Sequence, residues 1–140
     1  MPASGIHTEA LAEKFGKDGP FLERRVGTAY LPRLVSPDAV VEMATKACEA
    51  LFASGECASS DVDLLVLITQ NPDLGGLPHN SALVHNALNL RSDTEVLDIG
   101  LGCSGWVQGV AHAWAIMNAR NLEYGVVVTA DPYSRILSEG

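Results

Sequence analysis

The chain has 140 residues, of which 47% are hydrophobic and only 6% aromatic, a composition that predicts one globular domain with a core of small aliphatic side chains. Nine Lys and Arg against 17 Asp and Glu give a net charge of -8, and no basic run exceeds Arg24-Arg25, which argues against nucleic acid as a partner. No apolar run reaches the roughly 18 residues of a membrane span and no signal-peptide pattern is visible, so we expect a soluble, cytoplasmic protein that binds no membrane.

The first 55 residues are predicted to contain two helices separated by an irregular stretch. Thr8 is placed to cap a short first helix and Gly16 to end it. No period is visible from Phe21 to Leu34, so an irregular or short extended segment is expected there. Ser36-Pro37 then predicts a capped second helix, whose inward residues are Val40, Met43, Ala44, Ala47 and Leu51.

The rest of the chain alternates apolar strands with helices. Three strands are predicted, the first of them covered on both faces as in a parallel sheet and the second also buried, at Val62–Thr69, Glu95–Ile99 and Tyr124–Ala130. A loop is expected over Gln70–Pro78, and two helices over Asn80–Leu90, with Leu83, Ala87 and Leu88 inward, and Ser104–Arg120. This alternation predicts α/β layers, with functional groups at the carboxyl ends of the strands.

Cys103 lies at such a strand end, in a glycine-rich turn before the last helix. The amides and dipole of a helix N-terminus favour the thiolate, and the turn's N–H groups, including that of Cys103, could stabilise an oxyanion. The small neighbours Gly102, Ser104 and Gly105 leave room for an acyl group. The turn therefore predicts a covalent nucleophile, whereas Cys48, in a helix, and Cys57, in a turn, are predicted to be inert.

The same turn also supports other hypotheses. Gly100, Gly102 and Gly105 spell Gly-x-Gly-x-x-Gly and are followed by Asp131 after the next strand, which is the outline of a dinucleotide site. The run of residues before the cysteine, Val-Leu-Asp-Ile-Gly-x-Gly, also resembles the first motif of S-adenosylmethionine-dependent methyltransferases. Two observations argue against both nucleotide sites. A complete strand, loop and helix precede the glycine turn, and the bulky Trp106 directly follows its third glycine. A glycine turn that merely joins a strand to a helix is a further alternative.

Five segments match one protein family in order and spacing: Phe21-Leu-Glu-Arg-Arg25-Val-Gly27, Asp61–Thr69, Leu77–Ala82, Asp98–Gly105 and Tyr124–Asp131. Over roughly residues 7 to 140 the chain resembles the amino-terminal half of β-ketoacyl-acyl carrier protein synthase III and its relatives in the thiolase superfamily. The resemblance implies an α/β fold, the amino-terminal half of a thiolase-like fold, with a layered mixed sheet and helices on both faces.

The resemblance also implies roles for single residues. Cys103 accepts an acyl group from coenzyme A or an acyl carrier protein, and the acyl group then condenses with a malonyl thioester. Phe21 and Arg25 hold the adenine and phosphates of coenzyme A, and Leu77 reaches across a homodimer interface to line the partner's acyl pocket. Trp106 replaces the usual Phe, and either narrows the pocket or fills the core. No metal and no resident cofactor are implied.

The chain departs from the family in what it lacks. The catalytic His and Asn belong to the carboxyl-terminal half, and the four histidines lie outside those motifs, so each is predicted to be satisfied or solvent-facing: His7, His79, His85 and His112. Residues 1–140 are expected to form one half-domain without the family's first strand. We therefore expect a fragment of a synthase or a half that pairs with a chain carrying the rest, inactive in condensation alone. A non-catalytic partner subunit is the third hypothesis.

Overall fold

The computed structural model describes residues 4–33, 36 and 39–136, and the chain divides into two compact units. One unit contains Met1–Ser36 together with Pro132–Gly140, and the other spans Pro37–Asp131. Among the described residues, no helix is long and apolar enough to cross a membrane.

The first unit contains a short antiparallel sheet of two strands and, between those strands in the chain, two helices. Strand β1 (Ser4–His7), which the sequence did not indicate, lies antiparallel to β2 (Tyr30–Arg33). Helix α1 (Thr8–Lys14) begins one residue earlier than predicted, because the Thr8 hydroxyl donates to the Thr28 carbonyl at 2.6 Å instead of capping the helix. Gly16, at φ +60°, follows the end of α1 as expected. A 3₁₀ turn occupies Tyr133–Arg135.

Helix α2 (Gly19–Val26) overturns the prediction of an irregular segment from Phe21. Pro20 lies in its first turn, where a fixed φ favours the helix. Gly27, at φ +79°, ends the helix and donates its N–H to the Glu23 carbonyl at 2.7 Å. Proline at the start and glycine at the end were therefore better signals than periodicity in so short a helix. Leu34, at the end of the predicted segment, is outside the described residues.

The second unit is built on a parallel sheet of three strands. Strands β3 (Leu64–Ile68), β4 (Glu95–Ile99) and β5 (Gly125–Thr129) lie in the order β4-β3-β5, and both pairings are parallel. All three predicted strands are confirmed. The central strand β3 is buried at every position. Strand β4 is only partly covered and Val96 is exposed, so the predicted burial of β4 is wrong. Because parallel strands share a direction, their carboxyl ends meet at one edge of the sheet.

Helices cover both faces of this sheet, as the resemblance implies. Helices α3 (Ala39–Ala53) and α4 (Asn80–Ala87) pack on one face, and α5 (Gly105–Arg120) packs on the other. Two 3₁₀ turns occupy Ser59–Asp61 and Asp73–Gly76.

The predicted helix α3 is confirmed, but part of its predicted inward face is wrong. Cys48 is buried beside Val40 and Ala44, while Ala47 and Leu51 are exposed. Of the predicted Ser36-Pro37 cap, Pro37 lies outside the described residues.

Helix α4 is turned in the same way. Val84 is fully buried, whereas Ala87 is exposed and Leu83 and Leu88 are only half-buried. Apolar spacing gives a helix its period, but the neighbours that cover it decide which of two adjacent stripes faces inward.

Helix α5 approaches β3 unusually closely because its inward residues are small. A Cβ added at Gly105 would lie 2.5 Å from Ile68 Cγ2, and one added at Gly109 would lie 2.4 Å from Ile68 Cδ1. Ala113 continues the same stripe and is buried. The glycines therefore fix both the distance and the register of α5 on the sheet.

Asp63 ties the amino ends of the strands together. Its Oδ2 accepts the N–H groups of Glu123 and Tyr124 at 2.9 and 3.0 Å, and its Oδ1 accepts from Arg91 at 2.7 Å. The backbone hydrogen bond from Tyr124, with the Arg91 guanidinium next in weight, lowers the pKa of Asp63 to about 2.

We predict that Asp63→Asn lowers the urea midpoint of unfolding at neutral pH. The folded-state pKa lies below the ordinary value, so the stabilisation by Asp63 is complete above about pH 4 and is lost as the pH falls towards about 2. The difference between wild type and variant should therefore shrink over that pH range. Asp93→Asn is the matched control, since Asp93 also contacts Arg91 but is largely exposed, and it should have a smaller effect. A constant difference across the range would contradict the assignment.

Candidate active site around Cys103

Cys103 lies in a tight turn at the carboxyl edge of the sheet, directly before α5. Its thiol is free and exposed. The turn is closed by the Gly105 N–H, which donates to the Gly102 carbonyl at 2.7 Å, and Gly105 begins the helix. Cys103 therefore lies between a strand and a helix N-terminus, as predicted.

The amides of this turn leave donors for a ligand. The Gln108 N–H donates to the Ser104 carbonyl at 3.1 Å, whereas the Cys103 N–H has no acceptor among the described residues. Helix N-terminal amides carry a partial positive charge that stabilises anions. An oxyanion on a group bonded to the sulfur could therefore be stabilised here.

The three glycines of the turn have different surroundings. A Cβ at Gly102 would lie 1.7 Å from the Gln70 side-chain nitrogen, and Gly105 is pressed against Ile68, but nothing lies within 4 Å of a Cβ at Gly100. Gly105 is thus required by its contact with a buried side chain, whereas a Cβ at Gly102 would displace the end of the exposed Gln70 side chain. This use of the glycines favours the thiol hypothesis over an open phosphate cradle.

Asp131 holds the end of β3 and is one of the residues whose role the sequence did not reveal. Its Oδ1 accepts from the Thr69 hydroxyl at 3.0 Å, the Gln70 N–H at 2.7 Å and the Asn71 amide at 3.4 Å. In the dinucleotide hypothesis this carboxylate would bind a ribose, but in the structure it accepts these three hydrogen bonds from its own chain. Its position directly after a buried strand was the only available signal.

Asp98 performs a similar task for α4. Its two carboxylate oxygens accept the Asn80 and Ser81 N–H groups, each at 2.8 Å, and so cap that helix. The His79 Nδ1 lies 3.7 Å from Asp98 Oδ2, with the ring exposed. Because Asp98 precedes the glycine turn by a few residues, the cap also links α4 to the segment that carries Cys103.

Two predicted pocket residues are largely exposed. Trp106 is 54% exposed, so it fills no core among the described residues, and both of its predicted roles stay predictions. Leu77 is 75% exposed, and the peptide bond between it and Pro78 is cis. The predicted loop is confirmed apart from the 3₁₀ turn inside it.

Phe21 and Arg25, the predicted coenzyme A residues, belong to the other compact unit. They lie four residues apart on α2, and the Arg25 guanidinium carbon is 5.6 Å from the centre of the Phe21 ring. Both side chains are exposed. An aromatic face beside a cation is a combination that can bind an adenine and a phosphate, since the ring stacks and the guanidinium pairs with the anion.

The remaining titratable residues are engaged or exposed. The ring nitrogens of His85 and His112 hydrogen-bond backbone carbonyls at 2.8 and 2.7 Å, and His7 packs against Tyr30. Burial raises the pKa of Cys48 to about 11, which makes it unreactive as predicted. Within residues 4–33, 36 and 39–136, no group of His, Cys, Asp or Glu side chains could hold a metal ion.

Comparison with known proteins gives relatives over nearly the whole chain, although no family model matches it. The chain is 27% identical over 137 residues to the β-ketoacyl-[acyl-carrier-protein] synthase III of Rhodospirillum rubrum. That match covers 98% of this chain but 42% of the relative, so the chain spans about two fifths of the length of the curated relatives it matches.

Solved structures agree with the sequence relatives. A crystal structure of a 3-oxoacyl-(acyl-carrier-protein) synthase III superposes with a TM-score of 0.92 at 26% identity, over 99% of this chain and 41% of that one. AbyA1, a tetronic acid condensing enzyme, superposes with a TM-score of 0.82 at 22% identity, over 99% of this chain and 43% of its own. The chain therefore has a thiolase-like α/β fold, and its resemblance to the amino-terminal half of β-ketoacyl-acyl carrier protein synthase III is confirmed.

Proposed function

We propose that this chain is the thiol-bearing part of a β-ketoacyl synthase III-type acyltransferase, in which Cys103 accepts an acyl group from a thioester. The observation that supports this most directly is the exposed Cys103 thiol at the N-terminus of α5, beside its own N–H, for which the described part of the chain offers no acceptor. The names of the relatives, all condensing enzymes, point to the same chemistry.

The chemical step is an exchange of thioesters. The Cys103 thiolate attacks the acyl carbonyl, a new sulfur–carbon bond forms, and the thiolate of coenzyme A or of the carrier protein leaves. The negative charge that develops on the carbonyl oxygen is stabilised by the turn amides, of which the Cys103 N–H is the best candidate. Gly102, Ser104 and Gly105 flank the thiol without bulk. Condensation with a malonyl thioester would follow in the complete enzyme.

Binding of the donor is expected at two residues of helix α2. Phe21 and Arg25 are both exposed and in contact, so we expect them to stack on an adenine and pair with phosphates if the donor is coenzyme A. Leu77, on its exposed loop, is expected to contact a second copy of the chain in a homodimer. Trp106, exposed in the first turn of α5, is expected to narrow the acyl pocket.

We predict that incubation with acetyl-coenzyme A adds one acetyl group to the protein, located on Cys103. Intact-mass spectrometry followed by peptide mapping measures the adduct, and Cys103→Ala should abolish it. Cys57→Ser is the matched control, because Cys57 is also a free thiol but lies outside the glycine turn that contains Cys103.

The same reaction is to be repeated with a polypeptide that supplies the remaining three fifths of a synthase III. Absence of an adduct on Cys103 in both cases would refute the acyl-transfer proposal. An adduct that survives in Cys103→Ala would do the same.

The outer face of α5 supports a proposal about the partner. Between Gly105 and Ala119 this helix has no charged residue, although the chain as a whole carries a net charge of -8. The helix contains the polar residues Gln108, His112 and Asn118, and a helix normally buries the apolar face that it presents beside such residues. Here four large side chains on its outer side are exposed, Trp114 by 69% and Val107 by 68%. We call these the α5 patch: Trp106, Val107, Val110 and Trp114.

We infer that the α5 patch packs against the part of a synthase III that this chain does not contain. The curated relatives are more than twice as long as the region they share with this chain, so a large partner surface is available in such proteins. Two tryptophans on one helix provide the large apolar contacts that dominate interfaces.

We predict that the chain binds the remaining three fifths of the Rhodospirillum rubrum relative, and that Trp114→Glu weakens this complex at least about 30-fold. The reason is that a charge would be buried against an apolar partner. Analytical ultracentrifugation measures the complex, and the relative's own two parts serve as the positive control.

Leu51→Glu is the control variant, since Leu51 is an exposed apolar residue on the opposite face of the sheet. Equal affinities for wild type and Trp114→Glu would contradict the inference. A complex that forms normally while Cys103→Ala retains full synthase activity would instead favour the non-catalytic partner hypothesis.

A further inference from the structure

Gln70 leaves the sheet directly beside the turn that contains Cys103. Strand β3 pairs with β4 as far as Ile68 and Ile99, and the Thr69 N–H extends this pairing by donating to the Ile99 carbonyl at 3.1 Å. Gln70 is the next residue after this extension of β3, and the residues that follow β4 lead into the glycine turn. The two segments therefore remain side by side past the end of the sheet.

The Gln70 side chain lies against Gly102, the residue that precedes the thiol. A Cβ at Gly102 would be 1.7 Å from Gln70 Nε2 and 2.7 Å from Gln70 Cδ, distances at which one of the two groups must move. The Gly102 carbonyl in turn accepts the Gly105 N–H that closes the turn. The Gln70 amide therefore packs on Gly102, at one end of a short segment whose other end, Gly105, begins α5.

The backbone of Gln70 is held in place independently. Its N–H donates to Asp131 Oδ1 at 2.7 Å, and the same oxygen accepts from the Thr69 hydroxyl. The start of the side chain is therefore fixed beside Gly102, and its exposed end reaches the contact through its own rotamer.

We propose that Gln70 is a positioning residue for Cys103: its amide, packed on Gly102, holds the peptide that carries the thiol and the Cys103 N–H, and keeps an uncharged polar group beside them. This proposal rests on the proposed acyl transfer for its chemical meaning. Small displacements of a reacting group reduce rates strongly, which gives such a contact its value.

The test uses alkylation of Cys103 by iodoacetamide, a reaction that needs no acyl donor. All variants carry Cys57→Ser, and Cys48 does not compete because burial raises its pKa to about 11. Rates are measured by mass spectrometry for the wild-type turn, Gln70→Ala, Gly102→Ala and the double variant, with the melting temperature of each recorded to confirm folding.

We expect Gly102→Ala to change the Cys103 rate by at least about fivefold when Gln70 is present, and by much less in the Gln70→Ala background. The physical reason is that the alanine methyl displaces the Gln70 amide from Gly102, and there is no amide to displace in Gln70→Ala. Additive effects of the two substitutions would overturn the proposal.

A second variant, Gln70→Glu, keeps the shape but adds a negative charge beside the thiol. We expect the midpoint of the pH–rate profile to rise by about half a pH unit or more, because a nearby carboxylate disfavours the thiolate. Gln70→Leu, without the charge, should leave the midpoint unchanged, and Asp98 and Asp131 contribute equally in all variants.

The two proposals can fail separately. An unchanged midpoint in Gln70→Glu overturns the role of Gln70 even if acetyl-coenzyme A acylates Cys103. Coupling and a shifted midpoint without any acylation would leave the role of Gln70 intact and refute the acyl transfer. If Gly102→Ala does not fold, the Gln70→Glu midpoint alone decides.

Discussion

The close contact between α5 and the central strand β3 is the constraint on which the rest of the second unit depends. Ile68 fills the space left by the absent side chains of Gly105 and Gly109, so the helix axis lies nearer to the sheet than larger residues would allow. That contact fixes where α5 begins. The start of the helix in turn fixes the turn before it, and with it the position of Cys103.

Polar contacts at the carboxyl edge of the sheet complete what this packing begins. Asp131 accepts hydrogen bonds from the residues that follow β3, and Asp98 caps α4 with both of its carboxylate oxygens. Each carboxylate satisfies N–H groups that would otherwise lack partners where regular structure ends. The edge is therefore ordered by its own chain, and the Cys103 thiol projects from an ordered scaffold towards solvent. The α5 patch shows that the same helix has a second, apolar side with no partner among the described residues.

How far the fold could be predicted depended on the length and burial of each element. Strand β3 was identified from its nearly continuous apolar run, and β5 and α5 from their place in the alternation of strands and helices. Helix α2 was missed because eight residues give little period, although Pro20 and Gly27 marked both ends. Strand β1 has four residues and no pattern of its own, so only its pairing with β2 reveals it.

The sequence by itself determined that a cysteine would lie between a strand and a helix N-terminus, because hydrophobic pattern and glycine spacing are local properties of the chain. Only the tertiary structure decided that Gly102 is covered by Gln70, that Trp106 faces solvent, and that Cys48 is buried where Ala47 and Leu51 were expected. These facts depend on residues that are distant in sequence and meet only when the sheet and helices pack, which no local pattern encodes.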